Sequence, residues 1–263
     1  MPSAYVNGIN IHYEYQGSGL PVVFSHSFTS DCTMWTQQTS VITQRYQFIT
    51  YDIRGMGCTD SPPGEYSLDQ HAEELYQLVR HLGLTEFVLG GLSIGGMITV
   101  HFVLAHQELL KGIILADSAA ARPEVPHLVN PEEVIQNAQS RGMAGLAEHM
   151  VRNRLLAPHL LDNPYAVKEY LDRMARNNLI GYCSGMRALS RMRDRTGELG
   201  QLQVPTLIIV GDMDAPFIEP SKLMNERIAG SKLVTVRGAG HLANIEQPEA
   251  FNEAVMSFLD SLG

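Results

Sequence analysis

Ser93 stands in Gly90-Gly91-Leu92-Ser93-Ile94-Gly95-Gly96, between the apolar run Phe87-Val88-Leu89 and Met97-Ile98-Thr99-Val100. A serine hydroxyl becomes a strong nucleophile when a base takes its proton, so the chemistry to look for is acyl transfer through a covalent intermediate. Glycines two positions to either side let neighbouring backbone pass close to a sharply turned serine. Alone the pattern is weak, because a chain with this many glycines and serines holds roughly 0.13 such matches by chance. Its setting carries more. Strand, turn and helix follow one another, which puts the serine at a helix N-terminus, where unpaired N–H groups and the dipole favour developing negative charge.

The remaining groups lie downstream. His241, in Gly238-Ala239-Gly240-His241 just past an apolar run, is the candidate base. Asp214, in Gly211-Asp212-Met213-Asp214-Ala215-Pro216, is the carboxylate expected to hold that base in the right tautomer. Asp212 reads as a turn-shaping residue, and Asp117, after Ile113-Ile114-Leu115, is a rival carboxylate at a strand end. Backbone N–H groups of Ile94 and Phe28 are expected to hold the oxyanion. Ser27 and Trp35, in and after the Phe28 loop, are candidate substrate contacts, and His26 reads as a buried hydrogen-bonding group that steadies the loop. His101 and His106, in the helix behind the serine, read as packing or surface residues. This chemistry calls for no metal or organic cofactor.

Positioning these groups is the task of a repeating frame. Continuous apolar runs at Leu20–Phe24, 48–51, 87–89, 113–115, 207–210 and 233–236 read as strands covered on both faces. Helical patterns at 37–45, 68–82, 94–106, 221–228 and 248–262 separate most of them, which predicts a mainly parallel sheet with catalytic groups at its carboxyl ends. Alternating Ile9, Ile11, Tyr13 and Tyr15 around Asn7-Gly8 read as a hairpin.

From Arg122 to Thr196 no strand-like run occurs, only helical segments punctuated by Pro126, Pro131, Pro158 and Pro164. That block reads as a helical cap, residues 122–196, inserted into one core made of residues 1–121 and 197–263. It holds ten Arg and one Lys against eight Asp or Glu, while the whole chain carries a net charge of −9. A basic cap suits an acidic substrate, because a guanidinium grips a carboxylate through two parallel bonds. Arg187 and Arg191, one helical turn apart, are the candidate contacts for such an anion, the alternative being a solvated face balanced by neighbours, which Glu169 with Arg173 and Asp172 with Arg176 fit.

A chain of 263 residues with 44% hydrophobic and 18% charged residues has the composition of a globular protein. Its net negative charge argues against general nucleic-acid binding. Three cysteines, Cys32, Cys58 and Cys183, lack metal-ligand spacing and read as reduced thiols of a cytoplasmic protein. Neither an export signal nor a membrane span is expected.

The order Ser93, Asp214, His241, the Asp52-Ile53-Arg54-Gly55-Met56-Gly57 turn and Gly240-His241-Leu242-Ala243-Asn244-Ile245-Glu246-Gln247-Pro248 together resemble the α/β-hydrolase family across essentially the whole chain. Asp52 and Arg54 look structural in that turn. Ser27-Phe28, Asp31, Met34-Trp35 and Gly-Leu-Ser-Ile-Gly-Gly-Met look like the small carboxylesterase and 3-oxoadipate enol-lactonase group. Where most members have His-Gly, this chain has His26-Ser27, and a side chain at 27 narrows the loop. The resemblance implies an eight-stranded, mostly parallel α/β sheet flanked by helices. It implies a monomer or homodimer that hydrolyses a small ester or lactone. A neutral short-chain ester is the leading expectation, an enol-lactone carrying a carboxylate the second. Hydrolysis of a C–C bond in a vinylogous diketone and ligand reception without turnover are the alternatives.

Overall fold

The computed structural model describes residues 2–125, 130–152, 160–161 and 163–263. Pro126 and Pro158, expected as helix breaks, lie outside these residues. Eight strands form one sheet: β1 (Ser3–Val6), β2 (Ile9–Gln16), β3 (Pro21–Ser25), β4 (Gln47–Tyr51), β5 (Phe87–Leu92), β6 (Leu110–Ala116), β7 (Thr206–Gly211) and β8 (Lys232–Val236). Their spatial order is β1-β2-β4-β3-β5-β6-β7-β8. The β1–β2 and β2–β4 pairs are antiparallel and all later pairs parallel. The opening hairpin turns on Asn7 (φ 47°) and Gly8 (φ 77°), the two left-handed residues that a tight twisted turn requires.

Alternation along the buried strands splits the core into two layers. Val23, Leu89, Ile113 and Ile208 point into a layer with α2 (Leu68–His81), α3 (Ile94–His106) and α7 (Ala215–Arg227). Phe24, Val88, Ile114 and Ile209 point into the other, with α1 (Thr36–Ile42) and α9 (Pro248–Ser261). A period of two on strands covered on both faces explains why these runs read as continuously apolar.

Helix α7 begins at Ala215, six residues before the sequence pattern places it. Pro216 fits the first turn, where an N–H has no helical partner, and Pro220 forfeits one bond without stopping the helix. Between β6 and β7 lie α4 (Pro131–Arg152), α5 (Pro164–Arg176) and α6 (Leu179–Ser190), which share a third apolar cluster of their own. Gly142, at φ 67° and ψ 173°, breaks α4 into two pieces.

Candidate active site

Ser93 is the hinge between β5 and α3, at φ 58° and ψ −118°. For a residue with a side chain this is a strained backbone state, held only where the surroundings over-determine it. They do. Its N–H donates to the Ala116 carbonyl at 2.9 Å, and its carbonyl accepts from Ser118 Oγ at 2.8 Å and from Met97 N–H at 3.0 Å. A Cβ on Gly91 would collide with the Gly95 backbone, and one on Gly95 with the carbonyls of Ser25 and His26. The start of α3 thus lies directly against the loop that follows β3.

His241 and Asp214 reach the same rim from the loops after β8 and β7. His241 Nε2 lies 3.0 Å from Ser93 Oγ, and its Nδ1 lies 2.8 Å from Asp214 Oδ2. With Nδ1–H donating to the carboxylate, the Nε2 lone pair faces the hydroxyl, the tautomer a base needs. The Phe217 ring stacks on the imidazole, 4.5 Å between centroids. Asp214 is 5% exposed and the His241 side chain 37%, so the carboxylate is shielded while the imidazole meets the cavity.

Asp117 does not reach this relay. Its Oδ1 accepts the Gly211 N–H at 2.8 Å, behind the site. Full burial, and after it the nearby charge of Asp214, hold its carboxyl well above the usual range. Asp212 accepts the Gly238 N–H at 2.7 Å and so braces the turn before His241. His26 is buried, with Nδ1–H donating to the Ser27 carbonyl at 2.8 Å and Nε2 accepting from Ile53 N–H at 3.0 Å. Burial lowers its pKa, in keeping with a neutral ring that ties the loop to the turn after β4. Asp52 accepts N–H groups from Cys32 and Cys58, each at 2.7 Å, and Arg54 pairs with the buried Glu74. His101 donates toward Asp69 and His106 stacks on Tyr76, both on the far side of α3.

Residues Ser25 and Gly91 are register partners, so Phe28 and Ile94 follow the ends of adjacent parallel strands. Ile94 opens α3, where no helical carbonyl is available to its N–H. The Phe28 ring stacks on Tyr182 of α6, 5.2 Å between centroids.

Above Ser93 lies a cavity of about 500 Å³, lined by Ser27, Phe28, Asp214 and His241 below and by α4, α5 and α6 above. Its wall is mostly apolar and contains Met34, Met97, Met150, Met186, Met192 and Met213, half of the chain's 12 methionines. Sequence pattern alone does not assign them, because a methionine that packs a core and one that lines a pocket look the same along a helix. Arg173 is another lining residue without a sequence signal. Its side chain is 11% exposed, with Asp31 and Glu169 oxygens at 3.9 and 4.0 Å.

Three expected substrate contacts stand elsewhere. Trp35 is fully buried, edge-on to Phe24 at 4.8 Å and beside Phe251, so it packs the core between β3 and α9 and does not line the cavity. Arg187 forks onto Glu132, at 3.1 and 3.2 Å, and Arg191 reaches Glu65 at 2.6 Å. Both line an open surface depression separate from the cavity, Arg187 in the last turn of α6 and Arg191 at its C-cap.

The three cysteines are unpaired thiols, and among the described residues no helix is long and apolar enough to cross a membrane.

A strained serine hinge at the carboxyl edge of an eight-stranded, mostly parallel sheet, with imidazole and carboxylate in series, marks a class of hydrolase. The chain belongs to the alpha/beta hydrolase fold family, whose family model matches residues 21–248. It is 28% identical to a 3-oxoadipate enol-lactonase of Acinetobacter baylyi, over 89% of this chain and 86% of that one. A malate-bound thermophilic esterase from Thermogutta terrifontis superimposes with a TM-score of 0.89 at 32% identity, covering 99% and 97% of the two chains. An enol-lactonase from Burkholderia xenovorans superimposes with a TM-score of 0.90 at 27% identity, covering 98% and 100%.

Proposed function

We propose that this protein is a serine esterase or lactonase in which Ser93 is the nucleophile, His241 the general base and Asp214 the orienting carboxylate. The supporting observation is the unbroken relay from Ser93 Oγ through His241 to Asp214, at 3.0 and 2.8 Å, on the floor of an apolar cavity. Ser93 attacks the carbonyl as His241 takes its proton. The N–H groups of Ile94 and Phe28 receive the oxyanion, each such donor being worth about 3–4 kcal/mol of barrier. His241 then returns the proton to the leaving oxygen, and water cleaves the acyl-enzyme by the reverse assistance. Residues 122–196 act as the cap that closes the cavity, and Ser27 narrows its mouth.

The cavity favours a neutral ester. At about 500 Å³ it holds an acyl or alkyl group larger than acetyl, and its methionines adapt to irregular apolar shapes. Nitrophenyl esters of increasing chain length therefore show kcat/KM rising beyond acetate, and Ser93→Ala removes the activity at every length. A retained rate in that variant would overturn the assignment. Arg173 supports a second reading, a lactone carrying a carboxylate. In that case Arg173→Ala raises KM for an acidic lactone and leaves a neutral one unchanged.

A further inference from the structure

The loop that carries His241 has small residues before it, braced at Gly238 by Asp212 at 2.7 Å and at Ala239 by the Met213 N–H at 2.9 Å, yet a general base must be held to within a fraction of an ångström. One carboxylate brackets it. Glu246 Oε2 accepts the N–H of Gly240 at 2.9 Å, and Glu246 Oε1 accepts the N–H of Leu242 at 3.0 Å. The backbone N–H groups of the two residues that flank His241 are thereby fixed to a single carboxylate, five residues along the same chain. Glu246 is itself seated by α8 (Ala243–Glu246), whose Asn244 donates to the Met34 carbonyl at 3.1 Å and to Gln38 Oε1 at 3.3 Å. Gln38 returns a bond to the Asn244 carbonyl at 3.0 Å. The carboxylate is thus anchored to α1 and the segment before it, not to the helices above the cavity.

We infer that Glu246 is a positioning residue for the reaction: its carboxylate sets the backbone on both sides of His241 and so aims Nε2 at Ser93. Asp214 fixes the ring from its other nitrogen, and neither group substitutes for the other. Asp214 controls tautomer and ring rotation, whereas Glu246 controls where the ring is hung. The inference rests on the assignment of Ser93 and His241 given above.

The test compares Glu246→Ala and Glu246→Gln with the parent and with Ser93→Ala, using a neutral nitrophenyl ester. Rates of the parent and the Glu246 variants are expressed per active site counted by stoichiometric labelling with a fluorophosphonate, so that misfolded protein does not enter, and the rate of Ser93→Ala, which has no serine to label, is expressed per protein. Glu246→Ala is expected to lower kcat by about 10–100-fold with KM within about twofold, since a displacement near 1 Å costs on the order of 10²-fold. Glu246→Gln keeps one acceptor oxygen and is expected to fall between Glu246→Ala and the parent. An unchanged kcat per site in Glu246→Ala overturns the inference, and so does a raised KM with kcat intact, which would make Glu246 a substrate contact. Loss of labelled sites with normal turnover at those that remain also overturns it, as a purely structural role. If Ser93→Ala stays active, the parent assignment fails on its own, whatever the Glu246 variants do.

Discussion

The rim of the sheet and the helices above it face each other across one cavity and are built on opposite terms. At the rim nearly every group is held from two sides. Ser93 is pinned by Ala116 and Ser118, the loop before it by His26, and the turn before His241 by Asp212. Above, α4, α5 and α6 carry exposed pairs such as Arg152–Glu148 and Arg187–Glu132, and α4 and α6 show the cavity Met150 and Met186. Exposed pairs contribute little to rigidity, and methionine side chains repack readily. On the proposed function, bond breaking falls to the rim, where the backbone is over-determined, and substrate choice to the helices above it. Changes at the rim should cost turnover, and changes above should redistribute it among substrates.

The largest expected effect lies at the rim. Ser93→Ala should lower kcat by about 10⁶-fold, because nucleophile and base act as a unit and the residue of rate comes from binding and oxyanion donors alone. Single-turnover hydrolysis of an activated ester measures it, and a loss of only tenfold would erase the distinction between the two regions.

That division also decides what was legible in the chain. Ser93, Asp214 and His241 each follow an apolar run and sit among small or turn-forming residues, so local pattern places them at strand ends. The strands and the mainly parallel character of the sheet were legible for the same reason. Trp35 was misplaced because sequence proximity to the Phe28 loop does not say that its indole turns back onto Phe24. For Arg187 and Arg191 the choice between an anion contact and a solvated face is not legible, because a four-residue spacing fixes a shared helix face but not which way that face points. Glu246 carries no periodic signal, since its partners are backbone N–H groups whose approach depends on how the loop closes. The α7 start was hidden by two prolines that the helix accommodates.

A change in the upper wall sharpens the contrast. Met192 lines the cavity, lies outside the helices and is only partly buried, so its truncation disturbs packing less than that of a core methionine. Met192→Ala should shift preference toward longer acyl chains, by about tenfold in the ratio of kcat/KM between long and short esters, while acetate turnover stays near the parent. One methylene of fit is worth about 1–3 kcal/mol, which sets that scale. A uniform fall across all chain lengths would place Met192 with the rim in its behaviour.

Asp117 tests the rim through stability. Burial, then the Asp214 charge, raises its carboxyl above the unfolded value, so the folded state keeps a proton that the unfolded chain releases. Stability from this group is present in acid and is lost as pH rises through the folded value. Asp117→Asn has no proton to hold and keeps an oxygen for the Gly211 N–H. Its Tm relative to the parent should climb as pH is raised from the ordinary carboxylate range toward neutrality, and a difference constant with pH would reject the account.

The smallest expected effect is the most telling for the upper region. Arg187 belongs to the helical segment whose positive charge invites an anionic substrate, yet its guanidinium is spent on Glu132 at the outer surface, away from the cavity. Arg187→Ala should therefore leave KM within about twofold for both a neutral ester and a carboxylate-bearing lactone, since an exposed pair is screened and contributes little. Arg173, which does line the cavity, is the position where charge could select a substrate. Should Arg187→Ala raise KM for the acidic lactone alone, the outer depression would be part of the recognition surface. The boundary between soft wall and solvent-facing scaffold would then have to be drawn through α6 and not behind it.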